Sequence, residues 1–353
     1  MSKYLVSLPQ SQRAQYLEND NIDFLLDFKG FTLKSNSVKI TGTLAVSTAQ
    51  PPTLTPIGGI NVLMDGVTGI DSCFQSFTTS ISDVVVENNP EYPRFQKMNL
   101  CASNSRTEMV GSAFNTMALR CYNDNLTTTN LVGPANNGRS QFCTKPNICL
   151  NNSQGLNGDG QVRISVRLAK VNDVLFGTAV NANTSYWLEN LRVEYEVMPQ
   201  TEKSGGIMVT NHCLKQTINN GNANLSFIVP VPSSKISSSM IQTANLNRTD
   251  YNHLTLEKPD TVSRVELSIN DGTSQVVSYP LETEQEILEE YLRSLGNYKH
   301  NCNRIIDLEG NEKFGFGYSY TTMLSGAKIG LQIESSLNAP YAVYSYFSSV
   351  TTL

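Results

Sequence analysis

The chain has 353 residues, of which 39% are hydrophobic and only 16% charged, with a net charge of −5. That length is a prior of about two domains, and the apolar content excludes an extended disordered chain, which needs low hydrophobicity and high net charge. The acidic balance, with no run of Lys or Arg, argues against a protein that coats nucleic acid by neutralising phosphates.

Residues 1–21 read as a polar N-terminal arm, with two helical turns expected over Gln10 to Glu18 behind Pro9. From Ile22 the pattern becomes β. Phe31 to Lys34 and Val38 to Val46 alternate apolar and polar residues until Pro51-Pro52, since proline cannot donate to a ladder. Strand signals follow at Ile60–Asp65, Phe74–Ile81 and Asp83–Asn88, and a short helix is expected over Arg94–Ala102. Residues 121–160 are rich in Asn, Thr and Gly and form the least regular stretch, the mark of an excursion from the main sheet. In the strand Gln161–Leu168, Val162, Ile164, Val166 and Leu168 point one way and Arg163, Ser165 and Arg167 the other. The segment Tyr186–Val197 closes the first half.

A polar hinge, Pro199 to Gly206, divides the chain into 22–199 and 207–353, with 200–206 as the linker. The second half opens with a strand from Leu225 that ends at prolines. Its clearest hairpin runs Arg264–Ile269, Asn270-Asp271-Gly272, Gln275–Tyr279, the Asp-Gly pair supplying the positive φ of a tight turn. Thr283-Glu284-Gln285-Glu286 is a capping box, in which hydroxyl and carboxylate satisfy orphan backbone donors reciprocally. Ile287, Leu288, Tyr291, Leu292 and Leu295 make one apolar stripe before Gly296 stops the helix. Strands at Phe314–Tyr320, Lys328–Ile333 and Tyr341–Phe347 finish the chain. No residue-level internal repeat is visible. The reading is all-β, two consecutive β-sandwich units with short inserted helices.

Chemistry is sparse. His212, His253 and His300 sit in no nucleophile motif and read as surface or loop residues, and Gly-x-Ser-x-Gly is absent. The seven cysteines (Cys73, Cys101, Cys121, Cys143, Cys149, Cys213 and Cys302) are odd in number and show no framework, so they read as reduced, buried thiols. His212-Cys213 and Cys143/Cys149 lack the second ligand pair of a zinc site, and Gly155–Gly160 lacks the carboxylate order of a calcium loop. Glu284, Glu286, Glu289 and Glu290 read as a solvated helix face. Trp187 and the tyrosines from Tyr341 to Tyr346 read as core or subunit-interface packing rather than a sugar platform. No catalytic, cofactor-binding or metal residue is assigned. The sequons at Asn125, Asn151, Asn183, Asn224 and Asn247 read as products of composition. No segment reaches the roughly 20 apolar residues of a membrane span, and Met1–Pro9 has too short an apolar core for a secretion signal.

The ordered blocks Val62–Gly66, Ile70–Phe74, Val86–Asn88 and Glu91–Arg94, then Arg163–Leu168, Val174–Gly177 and Tyr186–Leu191, resemble the first jelly roll of double jelly-roll major capsid proteins of polinton-like viruses and virophages, in the adenovirus-hexon lineage. Val265–Asp271, Tyr279–Glu282, the helix to Gly296, Phe314–Tyr318 and the aromatic C-terminus resemble the second. The resemblance spans roughly residues 22–353, rests on the order of blocks, and implies two consecutive eight-stranded antiparallel jelly-roll β-sandwiches with short inserted helices. It implies a homotrimeric, pseudo-hexagonal capsomer of an icosahedral DNA-virus shell, partnered by itself and by penton and minor or cement proteins. It further implies a place in the virion capsid after synthesis in the host cytoplasm, and neither enzymatic residues nor sequence-specific nucleic-acid binding. Two other classes stay open: a β-sandwich carbohydrate-binding or adhesin module, and an enzyme on a β scaffold. Within the structural class, a minor or vertex capsid protein is a further alternative.

Overall fold

The computed structural model of the chain describes residues 2–47, 62–104, 106–120, 128–130, 139–158, 160–177, 180–200, 206–218, 223–228, 235–245, 254, 262–270, 275–294, 316–319, 328–335 and 340–352. In the first half the strands are β1 (Lys3–Ser7), β2 (Tyr16–Leu17), β3 (Asn21–Leu26), β4 (Phe31–Leu33), β5 (Lys39–Ser47), β6 (Leu63–Asp65), β7 (Phe74–Ile81), β8 (Val84–Asn89), β9 (Thr128–Asn130), β10 (Arg139–Thr144), β11 (Val162–Leu168) and β12 (Ser185–Pro199). The second half holds β13 (Ile207–Ile218), β14 (Ala223–Ile228), β15 (Lys235–Asn245), β16 (Val262–Asn270), β17 (Gln275–Leu281), β18 (Phe316–Ser319), β19 (Lys328–Ser335) and β20 (Tyr341–Thr352). Helices are α1 (Tyr92–Ser103), α2 (Arg106–Gly111), α3 (Ala113–Met117), α4 (Cys149–Asn152), α5 (Val171–Val174) and α6 (Glu284–Ser294).

Eight long strands in each half follow one circuit. In the first, β1-β12-β5-β10 form one sheet and β3-β11-β7-β8 the other; in the second, β13-β20-β15-β18 and β14-β19-β16-β17 do the same. Numbered within its own half, each sandwich therefore reads first-eighth-third-sixth and second-seventh-fourth-fifth. That is jelly-roll order, executed twice. Within each roll every neighbouring pair is antiparallel.

The first roll's core shows why these strands form. β11 alternates buried and partly exposed residues, with Val162, Ile164, Val166 and Leu168 all inward, and period-two alternation puts one face against the opposite sheet. Phe74 of β7 meets Phe142 of β10 across the sandwich, with ring centroids 6.5 Å apart. The hairpin joining β7 to β8 turns through Ser82 and Asp83, both with positive φ, the twist that matches a right-handed ribbon. Helix α1 carries Pro93 in its first turn, where the missing N–H is an orphan in any case, and it buries Tyr92, Phe95, Met98 and Cys101. In the second half the capping box of α6 is present: Glu286 N donates to Thr283 Oγ1 at 3.2 Å, and Thr283 N to Glu286 Oε2 at 3.1 Å. Ile287 and Tyr291 are its buried stripe. The β16–β17 hairpin pairs as expected, while its Asp271-Gly272 turn, Pro51-Pro52, Leu295 and Gly296 lie outside the described residues.

Two expectations are corrected. No helix forms over 10–18; Tyr16 and Leu17 are strand, paired to Leu188 and Trp187. Residues 3–7 are not a loose arm either. They zip along β12 from Lys3↔Val197 to Ser7↔Val193 and supply the first strand of the first roll. The reason is that β12 runs fifteen residues, and β1 and β2 together cover the flank opposite β5. The two sandwiches share a sheet: one sheet of each roll joins the other edge to edge, β8 lying parallel to β13 at Asn88↔His212, which makes an eight-stranded sheet.

Gly69 opens the 3-10 turn Gly69–Cys73 with φ +56°, and a Cβ there would lie 2.4 Å from the Ala118 carbonyl oxygen. Gly69→Ala is expected to cost at least about 2 kcal/mol, from left-handed strain plus the clash. Thermal unfolding checks this; an unchanged midpoint would show that the turn yields freely.

Candidate functional site

Residues that could carry chemistry are dispersed and mostly sealed. His212 lies in β13 rather than in a surface loop; burial holds its imidazole below the ordinary value. His253 and His300 are outside the described residues, as are Cys121 and Cys302. Cys73, Cys101, Cys149 and Cys213 are buried and form no disulfide, and burial pushes Cys73, Cys149 and Cys213 up, away from the thiolate a nucleophile needs. Cys143 lines a half-open cleft of about 770 Å³ on the outward face of β5, β10 and β12, with Lys39, Thr41, Gln141, Arg192 and Glu194. Burial raises this thiol too, and Lys39 only partly offsets it. Among the described residues no three of His, Cys, Asp and Glu converge as a metal cage, and no helix is long and apolar enough to cross a membrane.

The aromatic residues are packing. Trp187 is fully buried, its Nε1 donating to Glu189 Oε1 at 2.7 Å, and Tyr344 and Tyr346 are buried in β20. On α6, Glu286 serves the cap, Gln285 donates to Glu289 and Arg293 to Glu290, the pattern of a solvated face. The Asn151 sequon is buried: Nδ2 donates to the Val38 and Pro146 carbonyls, and Oδ1 accepts from Val38 N. That side chain does the work of a paired backbone strand.

Two polar clusters organise the molecule instead. The first sits inside roll one, around the turn at Gly69. Asp65 accepts from Val67 N, Thr68 N and Thr68 Oγ1 and pairs with Lys97 of α1 at 2.6 Å, both side chains fully buried. Asp71 pairs with Arg120 at 2.5 Å and accepts from Thr144 Oγ1 of β10 at 3.0 Å. Arg120 also donates to Asn115 Oδ1 and the Thr68 carbonyl. Burial pushes the Asp71 carboxyl up, against the pull of Arg120, Thr144 and Gln96. Two ion pairs thus tie the turn to α1, to the segment after α3 and to the sheet.

The second cluster is the joint between the rolls. Glu87 of β8 is buried; its Oε1 accepts from Asn211 N at 3.0 Å and Asn211 Nδ2 at 3.2 Å, both on β13. Its Oε2 accepts from Cys149 N of α4 at 2.7 Å and Thr79 Oγ1 of β7 at 3.4 Å. All four donors are neutral, so desolvation prevails and lifts the carboxyl from 4.5 to about 7. Around this centre, α1 reaches under β20. Phe95 packs on Tyr346 with centroids 5.4 Å apart, Tyr346 Oη donates to the Glu91 carbonyl at 3.0 Å, and the Arg94 guanidinium lies over the Tyr344 ring. Lys215 pairs with Glu91 at 3.2 Å, and Gln154 and Ile207 exchange both backbone bonds. Sequence reading assigned no role to Glu87 or Asn211. A carboxylate in an apolar strand, Val84-Val85-Val86-Glu87, was the available signal.

No family model matches the chain, and no curated protein matches it by sequence. Solved structures do match along its whole length. A quasi-atomic model of the PBCV-1 virus capsid aligns with TM-score 0.64 at 8% identity, over 100% of this chain and 94% of its own. VP54 of PBCV-1, fitted into a reconstruction of the virophage Sputnik, aligns at 0.59 and 9%, with the same coverage. The Sputnik virophage structure aligns at 0.53 and 10%, over 100% of this chain and 85% of its own. At such identities the likeness is one of fold, and that fold is the double jelly roll of viral capsid proteins.

Asp71→Ala is expected to cost about 3–5 kcal/mol by stranding Arg120 in the core, whereas Arg139→Ala, which breaks the exposed pair with Glu189 and leaves the Trp187 bond to Glu189 in place, costs under about 1 kcal/mol; denaturation midpoints decide. For Glu87, the folded chain holds a proton between about 4.5 and 7 that the unfolded chain releases. Its contribution is therefore fully present below 4.5 and fades as pH rises through 7, a loss of about 3 kcal/mol. Glu87→Gln should be less stable, because an amide opposes a donor to Asn211 or Cys149, yet lack this slope. Equal pH slopes in the two proteins from pH 5 to 8.5 would refute the assignment.

Proposed function

We propose that this protein is a structural major capsid protein whose copies assemble as homotrimeric, pseudo-hexagonal capsomers of an icosahedral DNA-virus shell. The observation that carries it is the repetition of one eight-strand circuit across the entire chain, with the two rolls fixed side by side. Two like sandwiches in a rigid pair give a subunit with two similar flanks, and three such subunits present six sandwiches in a ring. Penton and minor or cement proteins are its further partners, and the virion capsid its location, reached from the host cytoplasm. In this reading the chain changes from one roll to the other within residues 200–206. It has no catalytic residue and no sequence-specific contact with nucleic acid. The buried thiols and sealed aromatic residues support a scaffold over an enzyme or a sugar-binding module.

Light scattering on the purified, size-separated chain is expected to give three times the 38.9 kDa chain mass, and negative-stain images should show hexagonal outlines. A stable monomer over the micromolar range would overturn the proposal.

A further inference from the structure

The cleft on the outward face of roll one has no part in the scaffold reading. Three strands floor it, and their register sets its chemistry. Thr41 of β5 stands opposite Arg192 of β12 on one side and Cys143 of β10 on the other, and Lys39 stands opposite Glu194. Arg192 reaches this face only because β12 carries an extra residue. Glu189 pairs with Thr43 and Arg192 with Thr41, a step of three residues against a step of two. Asn190, at φ +52°, lies in the excess. Leu191 turns into the core, and Arg192 emerges where period-two alternation would have placed Leu191.

The cleft favours negative charge. Lys39, Lys145 and Arg192 all act electrostatically on the Cys143 thiol, against Glu194. Both oxygens of that carboxylate are engaged, Oε1 accepting from Arg192 Nε at 2.7 Å and Oε2 from Tyr4 Oη at 3.0 Å, so Glu194 sets the posture of the guanidinium. Beside it lies an unfinished group. Thr41 is 9% exposed, and its Oγ1 has no hydrogen-bond partner among the described residues. A buried hydroxyl without a partner destabilises a fold, and this one borders a cleft of about 770 Å³ next to an Arg192 side chain that is 48% exposed. An oxyanion supplies what is missing: its oxygens accept from the hydroxyl, and a fork of N–H donors matches a phosphate or a carboxylate.

We propose that this cleft binds a small oxyanion, phosphate or carboxylate, held by Arg192 and Lys39 with the Thr41 hydroxyl as its neutral donor. The half-exposed Arg192 side chain shifts toward the incoming anion and opens Thr41 to it. The volume exceeds that of a bare ion, so an organic phosphate or carboxylate enters with its body along Met117 at the rim. The site belongs to the first roll alone and needs no contact between copies.

Cys143 reports on occupancy, because it lines the cleft while Cys73, Cys101, Cys149 and Cys213 are buried. The full chain is alkylated with iodoacetamide, a neutral reagent, at fixed pH, and the label is located by peptide mass spectrometry. Inorganic phosphate and glutarate are added in separate arms, with chloride at matched ionic strength as the reference. At least one of the two anions is expected to slow labelling of Cys143 saturably and to raise the unfolding midpoint, a second reading that needs no reactive thiol. Lys39→Gln combined with Arg192→Gln should raise the half-saturating concentration by about tenfold or more, the effect of losing charged donors. Thr41→Val removes the orphan hydroxyl, so its midpoint in chloride should not fall, while its response to the anion weakens. Protection by phosphate alone or by glutarate alone names the anion. No effect of either anion on labelling or midpoint, or an undiminished effect in either variant, overturns the site.

Discussion

A sandwich has open sheet edges, and an open edge pairs with whatever strand it meets. The architecture of this protein follows from how one such pair of edges is closed. β8 and β13 meet at a single parallel bridge, too little backbone pairing to fix two sandwiches. The rest is done by side chains. Glu87 collects donors from β7, α4 and β13 at once, so the carboxyl touches both rolls. The α1 N-terminal turn adds Phe95 on Tyr346 and Glu91 with Lys215. Each contact ties a first-roll element to a second-roll strand, and together they turn two sandwiches into one body with a fixed angle between them. That rigidity is what the proposed capsomer requires of its subunit.

The ion pairs around Gly69 do a related task one level down. A jelly roll must carry its chain across the sandwich several times, and each crossing is irregular backbone with orphan polar groups. Here Asp65 takes the N–H groups of Val67 and Thr68, and Asp71 holds Arg120, which caps the Thr68 carbonyl in turn. Buried pairs of this kind add little net stability over apolar packing. Their value is directional, since a carboxylate with three donors accepts one arrangement of the loop and penalises the rest.

Much of the strand pattern is legible in the residues, for a physical reason. Val162 to Leu168 alternates cleanly because one of its faces is buried and the other is not. The α6 cap is legible because its four residues are local. What escaped is non-local. Lys3–Ser7 looked like an arm because Tyr4 and Val6 face outward, and its partner β12 lies 192 residues away at Tyr4↔Glu196. His212 looked superficial because nothing in its neighbours announces that β13 is buried by another strand. Asn151 looked like a sequon, and only the fold shows it bound to Val38. The joint itself left no motif: Glu87 and Asn211 are 124 positions apart, and each is ordinary alone.

The doubled circuit left no residue repeat because alternation, not identity, specifies a strand. Two rolls can share a topology while their sequences drift, provided the inward positions stay apolar. Edges are the exception, since each must suit its own partner. The covalently tethered joint forms once, during folding, and can enclose a carboxylate whose donors are preorganised around it. A contact between separate chains must be desolvated at each encounter, and an ionisable centre would tax every one of them. The corresponding edge of roll one is accordingly apolar, at Tyr4, Val6, Leu8 and Leu17. One structural position thus carries polar chemistry in β13, where it meets β8, and exposed apolar side chains in β1.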